Sequence, residues 1–246
     1  MNLIKDIRLF EKLEPDVLCT GLPTYMRGLY GFDGMDMQDI IQRLLFSLRH
    51  EGFTLGNFDH LYMNYTPSLP HGEVRQSQRG RDPYFPWYRF TDAGCDIDIF
   101  RAMSMEEQRR FLAEAIRKAV RLHADEANSA IFDRCYANVM KLGADLEIPY
   151  KEKTGEHLYL TVSTTISDEV DFLPIVRIFD LEGKLLLEKR MRSYGRDEFL
   201  LQFRTITLGK KTAKIAISKS QDARYYDIKP LKFRLYVNSW GRDKIA

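Results

Sequence analysis

The hydrophobic pattern of this chain changes near residue 148, and that change limits the folds it can adopt. Before this point apolar residues recur at both helical and strand spacing, whereas after it they alternate almost throughout, as in half-buried strands. Charge changes at the same place, since residues 1–148 hold 18 Lys and Arg against 22 Asp and Glu, and residues 149–246 hold 19 against 13. The sequence therefore predicts two domains, 1–148 and 149–246, joined through the polar segment 149–155.

Composition restricts the class of protein. The 246 residues are 44% hydrophobic and 29% charged with a net charge of +2, which is typical of a globular chain. No apolar run approaches the roughly 20 residues of a membrane span, and charged residues interrupt the N-terminal segment where a secretory signal would be apolar. The three cysteines are widely spaced, so neither a disulfide framework nor a paired-cysteine metal site is expected. These features predict a cytoplasmic protein without a cofactor and without membrane contact.

Residues 1–148 are predicted to form an α+β domain with a small sheet and three to four helices. The helices are indicated by apolar stripes at helical spacing. The first helix is expected to have Asp36 as its N-cap and Gly52 just beyond its end, and the second begins with a capping-box sequence at Ser104. The predicted helical stretches are 37–49 and 104–142, the latter with a break between Asp125 and Asn128.

Two strands are predicted between these helices. Residues 58–66 alternate, so the side chains at 61, 63 and 65 are expected on one face and those at 60, 62, 64 and 66 on the other. Residues 87–91 are rich in aromatic side chains and are expected to pair with this strand. The stretch from Pro67 to Pro86 contains four prolines and two glycines without periodicity, which predicts a long loop that is either functional or disordered.

Residues 149–246 are predicted to form an antiparallel β-sandwich. About six short strands follow one another, with turn signals between them and no long helical stripe. The loop 180–184 has Gly183 at a position suited to positive φ, which indicates a hairpin, and it resembles the hairpins of immunoglobulin-like modules. The predicted strands are 158–166, 175–179, 185–188, 199–207, 213–218 and 231–237.

One candidate site would make the protein a metal-dependent hydrolase or nuclease. Asp96 and Asp98 are two residues apart, so on a strand both carboxylates would lie on one face and share a divalent cation. His60 or His71 would add a ligand or a general base. The alternative is that Asp96 and Asp98 belong to the segment that leads into the helix at Ser104.

A second candidate site is the long loop together with the strand after it. Arg75, Arg79 and Arg81 lie within seven residues, and Trp87 follows shortly afterwards. Guanidinium groups bind phosphates and aromatic rings stack on bases, as in single-strand nucleic-acid binding. The alternative is that the arginines solvate the loop while Trp87 belongs to a half-buried strand.

Two further surfaces are candidates for recognition. His60, Tyr62 and Asn64 share the polar face of the first strand, which is either an open recognition patch or a buried layer beneath the loop. On the last two strands, Lys214, Lys232 and Arg234 are expected on one outer face if these strands are neighbours. Such a positive stripe steers acidic proteins or nucleic acid, although lysines also protect sheets from aggregation.

The chain contains no phosphate-binding loop, no serine-hydrolase elbow and no dinucleotide fingerprint. We therefore expect a non-enzymatic binding protein with a protein partner, for example a bacterial immunity-type protein that neutralises a toxin by covering its active site. A metal-dependent hydrolase or nuclease, and a nucleic-acid-binding protein that uses the basic loop and the basic sheet face, are the alternatives.

Overall fold

A computed structural model describes residues 2–12, 30–32, 34–79, 84–216 and 229–235. The protein has an α+β fold with a sheet-rich C-terminal part, as the sequence predicted. The chain divides into two compact units, Met1–Gly143 and Ala144–Ala246. Within the described ranges, no helix combines the length and the apolar character needed to cross a membrane.

The N-terminal unit combines a sheet of four strands with four helices in the described ranges. The three long helices include the apolar stripes from which helices were predicted. Its elements are β1 (Asp6–Glu11), α1 (Gln38–His50), β2 (His60–Thr66), β3 (Val74–Gln76), β4 (Tyr88–Gly94), α2 (Ile97–Ala102), α3 (Met105–His123) and α4 (Glu126–Leu142). The strand order is β1-β2-β4-β3, in which β1, β2 and β4 are parallel and β3 is an antiparallel edge. On the face that includes Tyr65, the phenol hydroxyl donates to the carbonyl of Leu112 in α3, which ties β2 to that helix.

The ends of the long helices follow the capping chemistry in the sequence. At the start of α3, the Ser104 hydroxyl accepts from the backbone N–H of Glu107, while the Glu107 carboxylate accepts from the backbone N–H of Ser104. The Asp125 carboxylate accepts from the N–H of Asn128 and begins α4. The capping box and the break between the two helices are therefore confirmed.

Helix α1 begins differently from the prediction. Asp36 lies in a 3₁₀ turn, Gly34–Met37, and α1 starts after Met37 without a side-chain cap. The prediction that Asp36 is the N-cap was wrong, because Asp36 lies inside a 3₁₀ turn that runs directly into the helix. The expected end is confirmed, since Gly52 has φ of +72° and donates to the carbonyl of Arg49.

Part of the predicted loop between Pro67 and Pro86 is ordered as a strand. Val74–Gln76 forms β3 and pairs antiparallel with β4, with Arg75 directly opposite Asp92. Three residues are too few to show an alternating pattern, so only the hydrogen bonds to β4 reveal this strand. The prediction of one long loop without regular structure was therefore wrong at its centre.

The C-terminal unit contains two antiparallel sheets, in the orders β5-β6-β7-β8 and β9-β10-β11. Its elements are β5 (Ile148–Thr154), β6 (Tyr159–Ile166), β7 (Phe172–Phe179), β8 (Leu185–Arg190), α5 (Arg196–Gln202), β9 (Thr205–Leu208), β10 (Thr212–Ala216) and β11 (Leu231–Arg234). The predicted hairpin is present, with Gly183 at φ of +85° between β7 and β8.

Two local predictions for this unit were wrong. The segment expected to connect the domains, 149–155, forms most of β5, whose polar composition suits an edge strand with exposed side chains. The strand expected at 199–207 is present only at 205–207, in β9, and its first four residues belong to α5. Phe199 and Phe203 are four residues apart and pack with ring centroids 5.1 Å apart, both fully buried, so helical spacing brings them together.

Candidate functional site

A continuous set of aromatic rings crosses one face of the N-terminal sheet, from its buried core to solvent. Phe10, Tyr62 and Phe90 come from three neighbouring strands, and the Tyr62 ring lies 5.2 Å from Phe10 and 5.4 Å from Phe90. Tyr88 packs 4.6 Å from Tyr62. Phe85 stacks parallel on Tyr88, with centroids 4.9 Å and planes 3° apart. We call these five residues, with Tyr84 and Trp87, the aromatic face.

The end of the aromatic face near the start of β4 is exposed. Tyr84 is 81% exposed, and Phe85 and Trp87 are each 38% exposed. The Trp87 ring meets Phe85 and Tyr88 edge to face, with centroids 6.1 and 6.2 Å apart. Grouped exposed aromatic side chains are unusual on a soluble protein and mark sites of interaction.

The arginines predicted to bind anions have other roles in the described structure. The guanidinium of Arg79 lies 4.1 Å above the ring of Phe90 and the residue is only 8% exposed. Arg75 is half-buried on β3, and Arg81 lies outside the described residues. The alternative that Arg75 and Arg79 solvate the loop was wrong, because β3 pairing and a cation–π contact hold them against the sheet, and their binding of anions stays a prediction.

The polar residues of β2 lie in a buried part of the sheet face that carries the aromatic rings, rather than on an open patch. Tyr62 and Asn64 are buried, and the Asn64 side-chain amide donates to Asp92 of β4 over 3.0 Å. Burial raises the pKa of Tyr62 above its ordinary value. The prediction that Tyr62 and Asn64 form an open recognition patch was wrong; of the two alternatives, the buried layer is the one observed.

His60 links the aromatic face to a buried carboxylate. Its ring lies 4.7 Å from Tyr88, and its Nδ1 lies 2.5 Å from the carboxylate of Asp59. Lys5 Nζ contacts the other oxygen of Asp59 over 2.6 Å. Burial raises the pKa of Asp59, but the hydrogen bonds from Lys5 and His60 outweigh burial and leave that pKa below its ordinary value. The ionised Asp59 thus fixes the His60 ring against Tyr88.

A pocket of about 230 Å³ opens beside the aromatic face, at the end of β3. Arg89 forms part of its wall, with its guanidinium 4.7 Å above the ring of Phe58. The pocket therefore has aromatic walls and polar atoms at its rim, which suits an inserted side chain of a partner. It is lined by Phe58, Gln76, Ser77, Arg79, Tyr88, Arg89 and Phe90.

Among the described residues, those of the predicted metal site do not form a group of three ligands. Asp96 and Asp98 do not lie on a strand, since Asp96 is the N-cap of α2 and its carboxylate accepts from the N–H of Ile99. His71 lies next to Asp96, and its Nδ1 accepts from the Asp96 backbone N–H over 3.1 Å. His60 is at the start of β2, whereas Asp96 follows the end of the parallel β4, so they lie at opposite ends of these neighbouring strands.

Asp96 and Asp98 belong to the start of α2, a helix that the sequence did not predict and that precedes α3. Within the described ranges, no three His, Cys, Asp or Glu side chains are grouped as metal ligands.

The three basic residues predicted on the last strands lie on one face. Strands β10 and β11 pair antiparallel, with Lys214 directly opposite Lys232 and Thr212 opposite Arg234. All three basic side chains are exposed, while Ala213, Ile215 and Phe233 of the same strands are buried. The prediction that these three basic residues share one face is therefore confirmed.

Comparison with protein-family models, with curated proteins and with solved structures finds no match.

Sequence reasoning missed β1 and the contribution of Phe10 to the aromatic face. In β1 the parallel register places Arg8 beside Tyr62 and Phe10 beside Asn64. The guanidinium of Arg8 lies 5.5 Å above the Tyr62 ring. The signal was present, because residues 6–11 alternate between charged and apolar side chains over most of the strand.

Proposed function

We propose that this chain is a non-enzymatic binding protein whose N-terminal unit captures another protein through the exposed end of the aromatic face. The observation that carries the proposal is the parallel stack of the exposed Phe85 on Tyr88, with Trp87 edge-on to both. Aromatic side chains of this kind dominate the binding energy of protein interfaces. They offer a large contact area for little loss of side-chain entropy.

The exposed rings are held in place before any partner arrives. Tyr88 lies between His60 and Tyr62, at 4.7 and 4.6 Å, and Asp59 holds the His60 ring through a hydrogen bond. Because Phe85 rests on this braced ring, binding costs little additional ordering of the surface. The partner that fits has an apolar cleft for the rings and a hydrogen-bond acceptor for the Trp87 N–H.

Stacking on single-stranded nucleic acid is less well supported for this face. Such sites place free cations along the phosphate backbone beside the aromatic platform. Here the cation nearest the buried end of the platform, Arg79, is 8% exposed and covers Phe90, and Arg8 is paired with Asp6 over 2.6 Å. Arg8 and Arg79 thus pack on rings of the aromatic face, over Tyr62 and Phe90.

Comparative capture tests the proposal. The wild-type chain, the double variant F85A/W87A and the control L122A are immobilised at equal density and exposed to lysate of the source organism. Leu122 is 51% exposed on α3, which packs on the opposite face of the sheet, so L122A removes an exposed apolar side chain outside the aromatic face. We expect one protein to be retained stoichiometrically by wild type and L122A and lost with F85A/W87A.

The retained protein is then purified and titrated against each variant. Loss of the two rings is expected to weaken binding by about 100-fold, since two interface aromatic residues of hot-spot type contribute several kcal/mol together. If wild type and F85A/W87A bind that protein equally, the aromatic face is not the binding site. If the retained protein is an enzyme that loses activity in the complex, the function is that of an immunity-type protein.

A further inference from the structure

One face of the sheet β9-β10-β11 carries basic and threonine side chains and no acidic one. Lys214 of β10 stands directly opposite Lys232 of β11 and opposite Thr207 of β9. Arg234 follows on the same face, because it is two residues beyond Lys232. All four residues are exposed. We call Thr205, Thr207, Thr212, Lys214, Lys232 and Arg234 the basic sheet face.

The positive charge of this face is not balanced within its sheet. Strands β9, β10 and β11 contain no acidic residue, and the turn between β9 and β10 adds Lys210 and Lys211, both exposed. No ion pair of Lys214, Lys232 or Arg234 is formed with any part of the chain that the structure describes. Like charges directly opposite one another destabilise an antiparallel pair, so the Lys214–Lys232 pair costs folding stability.

The chemistry of the basic sheet face favours phosphate over a protein surface. Protein interfaces are depleted in lysine and have an apolar centre, whereas this face presents only lysine, arginine, threonine and one alanine, Ala216. Lysine, arginine and threonine are the side chains that donate hydrogen bonds to phosphate oxygens. The described residues of the face include no aromatic ring, so they offer no platform for unstacked bases.

We propose that the basic sheet face binds the phosphate backbone of double-stranded nucleic acid without reading its sequence. Lys214, Lys232 and Arg234 contact phosphates, and the threonine hydroxyls between them supply further donors. The apolar residues on the other side of the strands, Ile215 and Phe233, are buried and hold the three cations in one plane. Bound phosphates remove the repulsion between Lys214 and Lys232. This activity is separate from the proposed protein capture, since its residues all belong to the C-terminal unit.

Binding to a short duplex DNA, measured by fluorescence anisotropy over a range of salt concentrations, tests the proposal. Three phosphate contacts predict a slope of log K against log salt of about −2.7, so affinity falls about 40-fold between roughly 50 and 200 mM salt. The variant K214Q/K232Q is expected to reduce the magnitude of that slope by about 1.8. The matched control K153Q/K184Q removes two exposed lysines from elsewhere in the same unit and keeps nearly the whole slope.

A charge reversal separates binding from folding. In K232E the new carboxylate stands opposite Lys214, so the melting temperature is expected to stay equal or rise, because opposite charges across strands stabilise the pair. DNA binding is nonetheless expected to be lost. Equal salt slopes for wild type and K214Q/K232Q would overturn the proposal. Binding of polyglutamate with no binding of duplex DNA would also overturn it, in favour of an acidic protein partner.

Discussion

Arg89 donates a hydrogen bond from its Nε to Nδ1 of His123 over 3.1 Å. The Nε2 atom of the same ring lies 2.8 Å from the hydroxyl of Thr91. Because Nδ1 accepts, the neutral imidazole carries its proton on Nε2 and donates it to Thr91. Burial and the nearby charge of Arg89 lower the pKa of His123 to about 4. This residue thus ties the end of α3 to β4 in its neutral form.

The folding stability of the N-terminal unit is expected to depend on the protonation of His123. Its pKa is about 4 in the folded chain and has an ordinary value of 6.5, so the unfolded chain binds the proton more tightly. The contribution is complete above about pH 6.5 and is lost as the pH falls towards 4. Between pH 7 and about pH 4.5, wild type should lose about 2 kcal/mol of unfolding free energy from this group, after allowance for its partial exposure.

Urea unfolding of wild type and H123Q at both pH values measures this contribution. The glutamine amide is able to accept from Arg89 and donate to Thr91 but does not titrate. On acidification, H123Q should therefore lose about 2 kcal/mol less unfolding free energy than wild type. Identical losses in the two proteins would show that His123 binds its proton equally well in the folded and the unfolded chain.

A buried carboxylate between two arginines is expected to be essential for folding. Asp39 of α1 accepts from Arg43 over 2.9 Å and from Arg109 of α3 over 2.6 and 2.7 Å. Asp39 and Arg43 are each 2% exposed. D39N leaves the shape nearly unchanged but removes the negative charge that the buried Arg43 and the partly exposed Arg109 contact, so it should cost about 3–5 kcal/mol of unfolding free energy.

The control for this prediction is D133N. Asp133 also binds two arginines, Arg117 and Arg121, but its side chain is 33% exposed. Its loss should cost no more than about 1 kcal/mol. Denaturant unfolding compares the two variants, and adding R43Q to D39N should restore part of the stability. Equal losses for D39N and D133N would contradict a special role for the buried cluster.

Local chemistry explains which parts of the fold the sequence predicts. Ser104 and Asp125 act on backbone groups within three residues, so the ends of α3 and α4 were predictable. Lys214 and Lys232 were placed on a shared face because alternation along a strand determines the face of each side chain. Helix α5 was missed because the apolar spacing of Phe199 and Phe203 was outweighed by neighbouring strand-like residues.

The candidate site depends on contacts between distant residues, which one sequence does not reveal. Phe10 and Tyr62 are brought together by the pairing of β1 with β2, and Arg79 reaches Phe90 only after β3 joins the sheet edge. The polar residues of β2 were predicted on the correct face, but their burial depends on what covers that face. Hydrophobic periodicity predicts the face of a strand on which each side chain lies, but it does not predict which element packs on that face.

A tight backbone approach makes Gly94 irreplaceable at the end of β4. A Cβ atom at Gly94 would lie 1.9 Å from the carbonyl oxygen of Pro70, and Gly94 exchanges backbone hydrogen bonds with Gly72 and Glu73. The segment around Pro70 therefore has to move away if any side chain is added. G94A should lower the unfolding free energy by at least about 2 kcal/mol, as overpacking against rigid backbone does.

The matched control is G195A. Gly195 precedes α5 with φ of −64°, and a Cβ there would meet no atom within 4 Å. Its replacement should change stability by no more than about 0.5 kcal/mol, because lower entropy of the unfolded chain offsets a slightly poorer helix start. Thermal unfolding followed by circular dichroism compares the two variants. If G94A and wild type have the same melting temperature, the close packing of the Pro70 carbonyl on β4 is not maintained in solution.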